Sequence, residues 1–152
     1  MALNMSGEFV LPADRKTVWA KLNDPGVLKA CIPGCEEFEA DGENTFKAVA
    51  KVKIGPVGAR FRGTVTLSEI DPPNSYRIQG QGDGGISGFA KGGARVRLED
   101  ADGGQTKLIY DVEAEVGGKI AQLGSRLVAG VAKKNADDFF TAFAREFGIS
   151  QP

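Results

Sequence analysis

The segment from Tyr76 to Gly84 alternates strictly between two kinds of residue, and this alternation constrains the fold more than any other feature. One face holds Tyr76, Ile78, Gly80, Gly82 and Gly84, and the other holds Arg77, Gln79, Gln81 and Asp83. Because strand side chains point alternately to opposite faces, the pattern predicts a half-buried strand. Its core-facing positions lose their side chains along its length, so we expect empty space inside the sheet.

The next alternating segment shows the same trend in reverse. Its small residues Ala90, Gly92 and Ala94 precede the larger Val96 and Leu98 on one face. If the two segments pair as a hairpin, small residues meet small residues across the strands. For any single glycine the simpler explanation is that it lets a curved sheet bend. The run of glycines, in a chain with 21 glycines among 152 residues, favours a cavity instead.

Six alternating segments are separated by short stretches rich in Gly, Pro, Asn and Asp, which are typical turn residues. They predict an antiparallel meander of strands at Glu36–Ala40, Thr45–Ile54, Ala59–Ile70, Ser75–Gly84, Ala90–Glu99 and Thr106–Val116. In each longer strand one face is apolar and the other is polar. We therefore expect a sheet with one buried face and one solvated face.

The two ends of the chain supply the remaining elements. A first strand over Met5–Leu11 ends at Pro12, and Asp14 and Asp24 each precede a short amphipathic segment as helix caps would. Near the C-terminus about 28 residues, Ile120–Phe147, contain no proline and predict one long helix. Small residues in its first half leave room against the sheet, whereas we expect the phenylalanines of its second half to fill the other end.

These elements predict an α+β, helix-grip fold within a single domain over residues 1–150. A curved antiparallel sheet of about seven strands surrounds the long C-terminal helix, and two short helices follow the first strand. Such an architecture encloses a cavity between helix and sheet. We expect the Gly85–Phe89 loop to act as its gate, and Tyr76, Leu98 and Leu108 to fill the end with few glycines.

Composition excludes several classes of function. The net charge of −1 offers no basic field for nucleic acid, and the chain has no histidine to act as a general base. Cys31 and Cys35 alone cannot complete a tetrahedral metal site, so we expect two reduced thiols. No leader-like or membrane-spanning run is evident, which predicts a cytoplasmic protein.

We predict that the cavity holds an apolar, partly aromatic ligand. The expected ligand-binding residues are Phe61, Tyr76, Gly80, Gly82, Phe89, Ala94, Tyr110, Ala114, Leu127 and Val131. The alternative for each large residue is ordinary core packing, because apolar side chains are buried with or without a ligand. The hydroxyl groups of Tyr76 and Tyr110 would orient the polar end of such a ligand.

A second predicted site is a docking surface at the turn between the second and third strands of the meander. There an apolar tip is ringed by positive charge, which suits an anionic membrane or an acidic protein. Its residues are Lys51, Lys53, Ile54, Pro56, Val57, Arg60 and Arg62. The alternative is a solvated sheet face whose lysines prevent edge pairing.

An enzyme that uses the same cavity is the third hypothesis, and it has little support from the residues. Asp83, Asp111 and Glu113 all fall on the polar face of the sheet, and Glu69 is the carboxylate with inward phase. Glu69 lies at a strand end where solvent reaches it. We therefore predict no catalytic residue and no metal ligand.

Four segments resemble the G-subunit family of carbon monoxide dehydrogenase, a branch of the START-like, polyketide cyclase-like superfamily. They are CIPGCE (Cys31–Glu36), KVKIGPVGARFRGTVTL (Lys51–Leu67), GFAKGGARVRL (Gly88–Leu98) and LGSRLVAGVAKKNADDFF (Leu123–Phe140). Together they span nearly the whole chain, although each alone is short and rich in small residues.

The resemblance implies an accessory protein of molybdenum-containing carbon monoxide dehydrogenases and related hydroxylases. It implies a role in docking the enzyme at the inner face of the membrane and the binding of a quinone or similar lipid, with no covalently bound cofactor. Superfamily analogy also keeps a cyclase-type enzyme as the alternative. Longer members of the family continue into a membrane-associating tail, whereas this sequence stops at Pro152, so we expect no anchoring of that kind here.

Overall fold

A computed structural model describes residues 1–147, so residues 148–150 of the expected domain and Gln151-Pro152 lie outside the description. Residues 1–147 form seven strands and three α-helices. In chain order these are β1 (Ala2–Leu11), α1 (Arg15–Leu22), α2 (Pro25–Cys31), β2 (Cys35–Ala40), β3 (Thr45–Ile54), β4 (Val57–Asp71), β5 (Ser75–Asp83), β6 (Phe89–Ala101), β7 (Gln105–Gly117) and α3 (Ser125–Arg145). The predicted helix-grip fold is confirmed.

The strands form one curved antiparallel sheet in the order β1-β7-β6-β5-β4-β3-β2. From β2 to β7, strands that are consecutive in the chain are neighbours in the sheet, as the predicted meander requires, and β1 pairs with β7. The register places Gly80 opposite Gly92, and Gly92 opposite Ala114. A row of residues with little or no side chain therefore crosses β5, β6 and β7 in the middle of the sheet.

Two aspartates begin the short helices, as predicted. A carboxylate oxygen of Asp14 accepts a hydrogen bond from the backbone N–H of Thr17 at 2.9 Å, and Asp24 accepts one from Gly26 at 2.9 Å. The second helix ends at Cys31 because Ile32, which precedes Pro33, has extended backbone angles. These helices therefore cover the end of the sheet that carries its large apolar residues.

The long C-terminal helix is shorter than predicted. It comprises 21 residues and begins at Ser125 rather than Ile120, and Lys119–Leu123 forms a separate 3₁₀ turn. Gly118 and Gly124, which flank this turn, have φ angles of +80° and +100°. An α-helix cannot continue through such left-handed backbone. The chain therefore changes direction twice before α3 begins.

The buried side chains form two clusters at opposite ends of the inner face. The larger cluster lies under α1, α2 and the second half of α3, and includes Leu11, Val18, Tyr76, Leu98, Leu108, Phe140 and Phe143. The smaller one comprises Ile54, Val116, Ile120 and Val128. By register, the row of Gly80, Gly92 and Ala114 lies between the two clusters. The core is thus interrupted where the side chains are smallest.

Candidate functional site

A cavity of about 350 Å³ lies over the small residues in the middle of the sheet. Its walls include Ala48, Ala50, Phe61, Gly63, Val65, Ile78, Gly80, Gly82, Ala90, Gly92, Ala94, Val112 and Ala114. The third helix packs mainly against α2, β1 and β3 rather than against β5 and β6. It therefore leaves this part of the sheet uncovered, and Gly92 remains exposed although its position faces inward. We call this space the central cavity.

The glycines of the central cavity differ in what a side chain would meet. A β-carbon built at Gly80 would lie 3.5 Å from its nearest neighbour, and one at Gly82 would lie 3.7 Å from the β-carbon of Phe61. At Gly63 and Gly92 a β-carbon would collide with the carbonyl oxygens of Gln81 and Glu113. Gly80 and Gly82 therefore create open space, whereas Gly63 and Gly92 permit close approach of neighbouring strands.

A second apolar cavity of about 240 Å³ lies under α1 and α2, and we call it the inner chamber. Its walls are Leu22, Asn23, Leu28, Ile32, Phe38, Phe46, Val65, Leu67, Tyr76, Ile78, Val96, Leu108, Phe139 and Phe140. The two cavities share Val65 and Ile78, so they adjoin. The expectation that this end of the sheet is filled is therefore wrong.

The phenylalanines of α3 explain why the inner chamber stays open. Phe140 stacks on Phe9 with ring centroids 4.8 Å apart, and Phe139 stacks on Phe143 at 5.5 Å. Phe143 in turn packs against Phe147 at 5.2 Å. The rings therefore pack on one another and on β1. They form a wall of the chamber instead of occupying it.

The structure gathers six of the ten predicted ligand-binding residues around the two cavities. Phe61, Gly80, Gly82, Ala94 and Ala114 line the central cavity, and Tyr76 lines the inner chamber. The prediction missed the contributions of α1 and α2 to the chamber. The spacing of Leu28 and Ile32, four residues apart in the sequence, was the signal that could have found them.

The other four predicted residues line neither cavity. Phe89 is 41% exposed and its ring lies against Gly117, while Leu127 is 39% exposed and lies beside Gly55. Tyr110 is buried between Gly7 and the ring of Phe140, whose centroid is 5.4 Å away. Val131 packs against the smaller core cluster.

The predicted docking surface is only partly formed as expected. Ile54 is 7% exposed and belongs to the smaller core cluster, so its place in an exposed tip is wrong. Its inward phase in β3 explains the burial. The guanidinium of Arg60 donates two hydrogen bonds to Glu36, at 2.7 and 3.2 Å. This contact lowers the pKa of Glu36 and compensates the charge of Arg60.

The remaining docking residues face solvent. Lys51, Lys53, Pro56 and Arg62 are exposed, and Val57 is half-buried. A different apolar feature lies nearby, because Ile86 at the apex of the Gly85–Phe89 loop is 89% exposed. Gly88, in the same loop, lies against Gly117 at the end of β7. The exposed apolar tip at this end of the molecule is therefore Ile86 rather than Ile54.

Among the described residues, the walls of both cavities lack acidic groups. Glu69, which the alternation had placed inward, has a φ of +49° at an irregularity of β4. Its carboxylate lies 3.7 Å from Arg77 and 3.8 Å from Arg95, on the outer face. The inward assignment of Glu69 is therefore wrong, because the irregularity reverses its side chain.

Other sites that the sequence raised can be described briefly. Within residues 1–147, no group of three or more Cys, Asp or Glu side chains is gathered as a metal site would need. Cys31 and Cys35 are free thiols, and burial raises the pKa of both. None of the helices in the described part of the chain combines the length and hydropathy needed to cross a bilayer.

The largest depression, about 980 Å³, is a groove on the outer face of β1, β5, β6 and β7. Its rim carries Arg77, Lys91, Arg95, Asp111, Glu113 and Glu115. The groove arises because Gly92 and Gly93 leave the sheet only one backbone thick. Its mixed charges are typical of a solvated sheet face, so we place the candidate site on the inner face.

Known proteins resemble the chain at two levels, family and fold. The family described as the G subunit of carbon monoxide dehydrogenase (CoxG) matches residues 7–148. No curated protein matches the sequence. Among solved structures, a conserved protein from Geobacillus kaustophilus has a TM-score of 0.91 and 36% identity, with 97% of each chain covered.

More distant structures share the fold. A Thermus thermophilus protein has a TM-score of 0.72 at 14% identity, covering 99% of this chain and 100% of that one. The Zhui aromatase/cyclase from a Streptomyces species has a TM-score of 0.67 at 15% identity, covering 96% of this chain and 93% of that one. At these identities the likeness is one of fold alone.

Proposed function

Because the chain belongs to the CoxG family of carbon monoxide dehydrogenase, we propose that it is a non-enzymatic accessory protein of a molybdenum hydroxylase of the carbon monoxide dehydrogenase type. In this role it holds an apolar ligand, a quinone or another lipid, between α3 and the sheet. It also helps to dock the partner enzyme at the membrane.

The observation that carries the proposal is the gap between the two core clusters. Protein interiors are normally close-packed, so an apolar cavity of about 350 Å³ over Gly80 and Gly82 is a feature that requires an occupant or a cost in stability. Its volume falls within the range of small-molecule sites, roughly 300–1,000 Å³. A lipid-like molecule would restore the missing contacts.

Catalysis is a weaker proposal for the same cavity. The cyclase alternative needs a proton donor or acceptor within reach of a substrate. In the described part of the chain the central cavity has no carboxylate in its walls, and the charged group nearest to it belongs to Lys91, which lies on the outer face of β6. Binding without chemistry therefore fits these walls better.

Docking is supported by the exposed features at one end of the molecule. Ile86 projects from the Gly85–Phe89 loop, and Lys51, Lys53 and Arg62 are exposed on the outer faces of β3 and β4. An exposed apolar residue combined with exposed cations suits an anionic lipid surface. We propose that the protein approaches the membrane with this end.

The test of ligand binding is a matched pair of phenylalanine substitutions in β5. Gly82→Phe places a ring in the central cavity, where its β-carbon makes ordinary contact with Phe61. We expect this variant to fold and to lose uptake of a long-chain quinone, measured by co-purification and mass spectrometry. Gln79→Phe places the same ring on the outer face and should bind like the wild type.

Unchanged uptake by Gly82→Phe, with folding verified by circular dichroism, would contradict the proposed location. Equal loss in Gln79→Phe would show that the ring disturbs the sheet in general. A wild-type protein that binds no quinone or lipid at all would contradict the proposed function itself.

A further inference from the structure

We infer that the inner chamber under α1 and α2 is a binding site for the ring end of the ligand, a flat, uncharged ring whose hydrogen-bond acceptor is met by the hydroxyl of Tyr76. This inference rests on the proposed function, and it adds to it which end of the ligand enters first and which residue selects it.

Aromatic side chains dominate the walls of the inner chamber. Five of the lining residues are aromatic, namely Phe38, Phe46, Tyr76, Phe139 and Phe140. Phe38 and Phe46 stack on each other with centroids 5.2 Å apart, so they present a flat surface. Flat rings pack on such surfaces in offset or edge-to-face geometry. The chamber therefore suits a planar unsaturated group better than a branched aliphatic one.

Charge is excluded from the inner chamber. Its walls, as far as the structure describes them, contain no acidic or basic side chain, and Asn23 and Tyr76 are the polar residues among them. The Asn23 amide already donates a hydrogen bond to the carbonyl oxygen of Trp19 at 2.9 Å. Moving an unpaired charge into such surroundings would be strongly unfavourable. The chamber thus takes a neutral group.

The hydroxyl of Tyr76 is the polar contact that the inner chamber offers. Tyr76 is 6% exposed, and no other described residue makes a side-chain hydrogen bond with it. Among the described residues no fully enclosed side-chain polar atom lacks a partner, so this hydroxyl must keep contact with accessible space. The chamber is the space that Tyr76 lines. Burial raises the pKa of Tyr76, so the hydroxyl keeps its proton and donates.

Size and position determine the orientation of the ligand. At about 240 Å³ the inner chamber is smaller than the roughly 300–1,000 Å³ of a complete ligand pocket, so it accommodates one end of a larger molecule. It adjoins the central cavity through Val65 and Ile78. The ring therefore lies in the chamber, and an aliphatic tail crosses Gly80 and Gly82 toward the open side.

The experiment compares two small probes that share a fused ring and a methyl group. Menadione carries carbonyl oxygens, whereas methylnaphthalene has none. Tyr76→Phe removes the chamber hydroxyl and keeps the ring. Tyr110→Phe is the matched control, because Tyr110 is buried outside both cavities. Affinities are measured by calorimetry, and fluorescence of Trp19, the sole tryptophan, reports occupancy because its ring lies 5.1 Å from that of Tyr76.

We expect Tyr76→Phe to weaken menadione about five-fold, the equivalent of one neutral hydrogen bond, and to leave methylnaphthalene unchanged. Tyr110→Phe should change neither affinity, and menadione should quench Trp19. Equal effects of Tyr76→Phe on both probes, or no effect on either, would overturn the inference. If the wild type then still takes up a long-chain quinone, the proposed function stands without the chamber; if it takes up none, both fail.

Discussion

The two glycines that face each other at the centre of the sheet, Gly80 and Gly92, have different physical roles. Both lie on the inner face and are register partners. A β-carbon at Gly80 would make ordinary contacts, whereas one at Gly92 would overlap the backbone of Glu113 and Ala114. The first glycine leaves space for a ligand, and the second lets β6 and β7 approach. Composition alone cannot separate these roles.

Alanine substitution should separate the two glycines by their effect on stability. Gly80→Ala should leave stability unchanged or raise it by about 0.5 kcal/mol, because alanine restricts the unfolded chain and meets no obstacle. Gly92→Ala should lower stability by about 1–3 kcal/mol, because the strands must shift to relieve the overlap. Urea unfolding of both variants measures the difference.

Similar losses in the two alanine variants would contradict this distinction. They would show that both glycines serve the backbone, which is the simpler explanation of glycine in a curved sheet. The central cavity would then be a by-product of strand geometry.

At the level of elements, the Gly85–Phe89 loop and the turn before α3 determine how the cavity opens. The loop is held to the end of β7 by close backbone approach between Gly88 and Gly117. Its apex, Ile86, projects into solvent. The smaller core cluster supports this region through Ile120 and Val128. The loop is therefore a supported platform that presents one apolar side chain.

This arrangement predicts which substitutions impair membrane docking. Ile86→Asp should reduce binding to vesicles that contain anionic lipid by roughly ten-fold, since one apolar side chain is lost from the contact. Val10→Asp is the control, because Val10 is also an exposed apolar residue, at 50%, but lies on edge strand β1. Sedimentation with vesicles measures both variants.

The basic residues provide an independent arm of the same docking test. Lys53→Glu should weaken vesicle binding more than Arg60→Glu, because Glu36 already compensates the charge of Arg60. Binding that is insensitive to Ile86→Asp, Lys53→Glu and Arg60→Glu alike would reject docking to lipid.

The same elements show what the sequence could predict. Alternation is a local property of strands, so β3 and β5 were located to within one residue. The start of α3 was not predicted, because a glycine within a helical pattern does not reveal that Gly124 has a left-handed backbone. The inner chamber was also missed, since it depends on how Phe139 and Phe143 stack against each other in three dimensions.

At the scale of the whole molecule, two packed ends hold a sheet whose middle is under-filled. The larger cluster, under the three α-helices, and the smaller cluster, around Ile120, supply most of the buried apolar surface. Stability can therefore reside at the ends while the middle remains available. A ligand that spans the inner chamber and the central cavity would connect the two clusters, and should stabilise the protein in proportion to its affinity.

The most direct measurement is to extract the freshly purified protein with organic solvent and identify the released molecules by mass spectrometry. The account predicts close to one apolar molecule per chain, a quinone or another lipid with a ring at one end, or its stoichiometric uptake when long-chain quinone is added to an empty preparation. A protein that yields no such molecule and takes up none would contradict the claim that the cavity is a binding site.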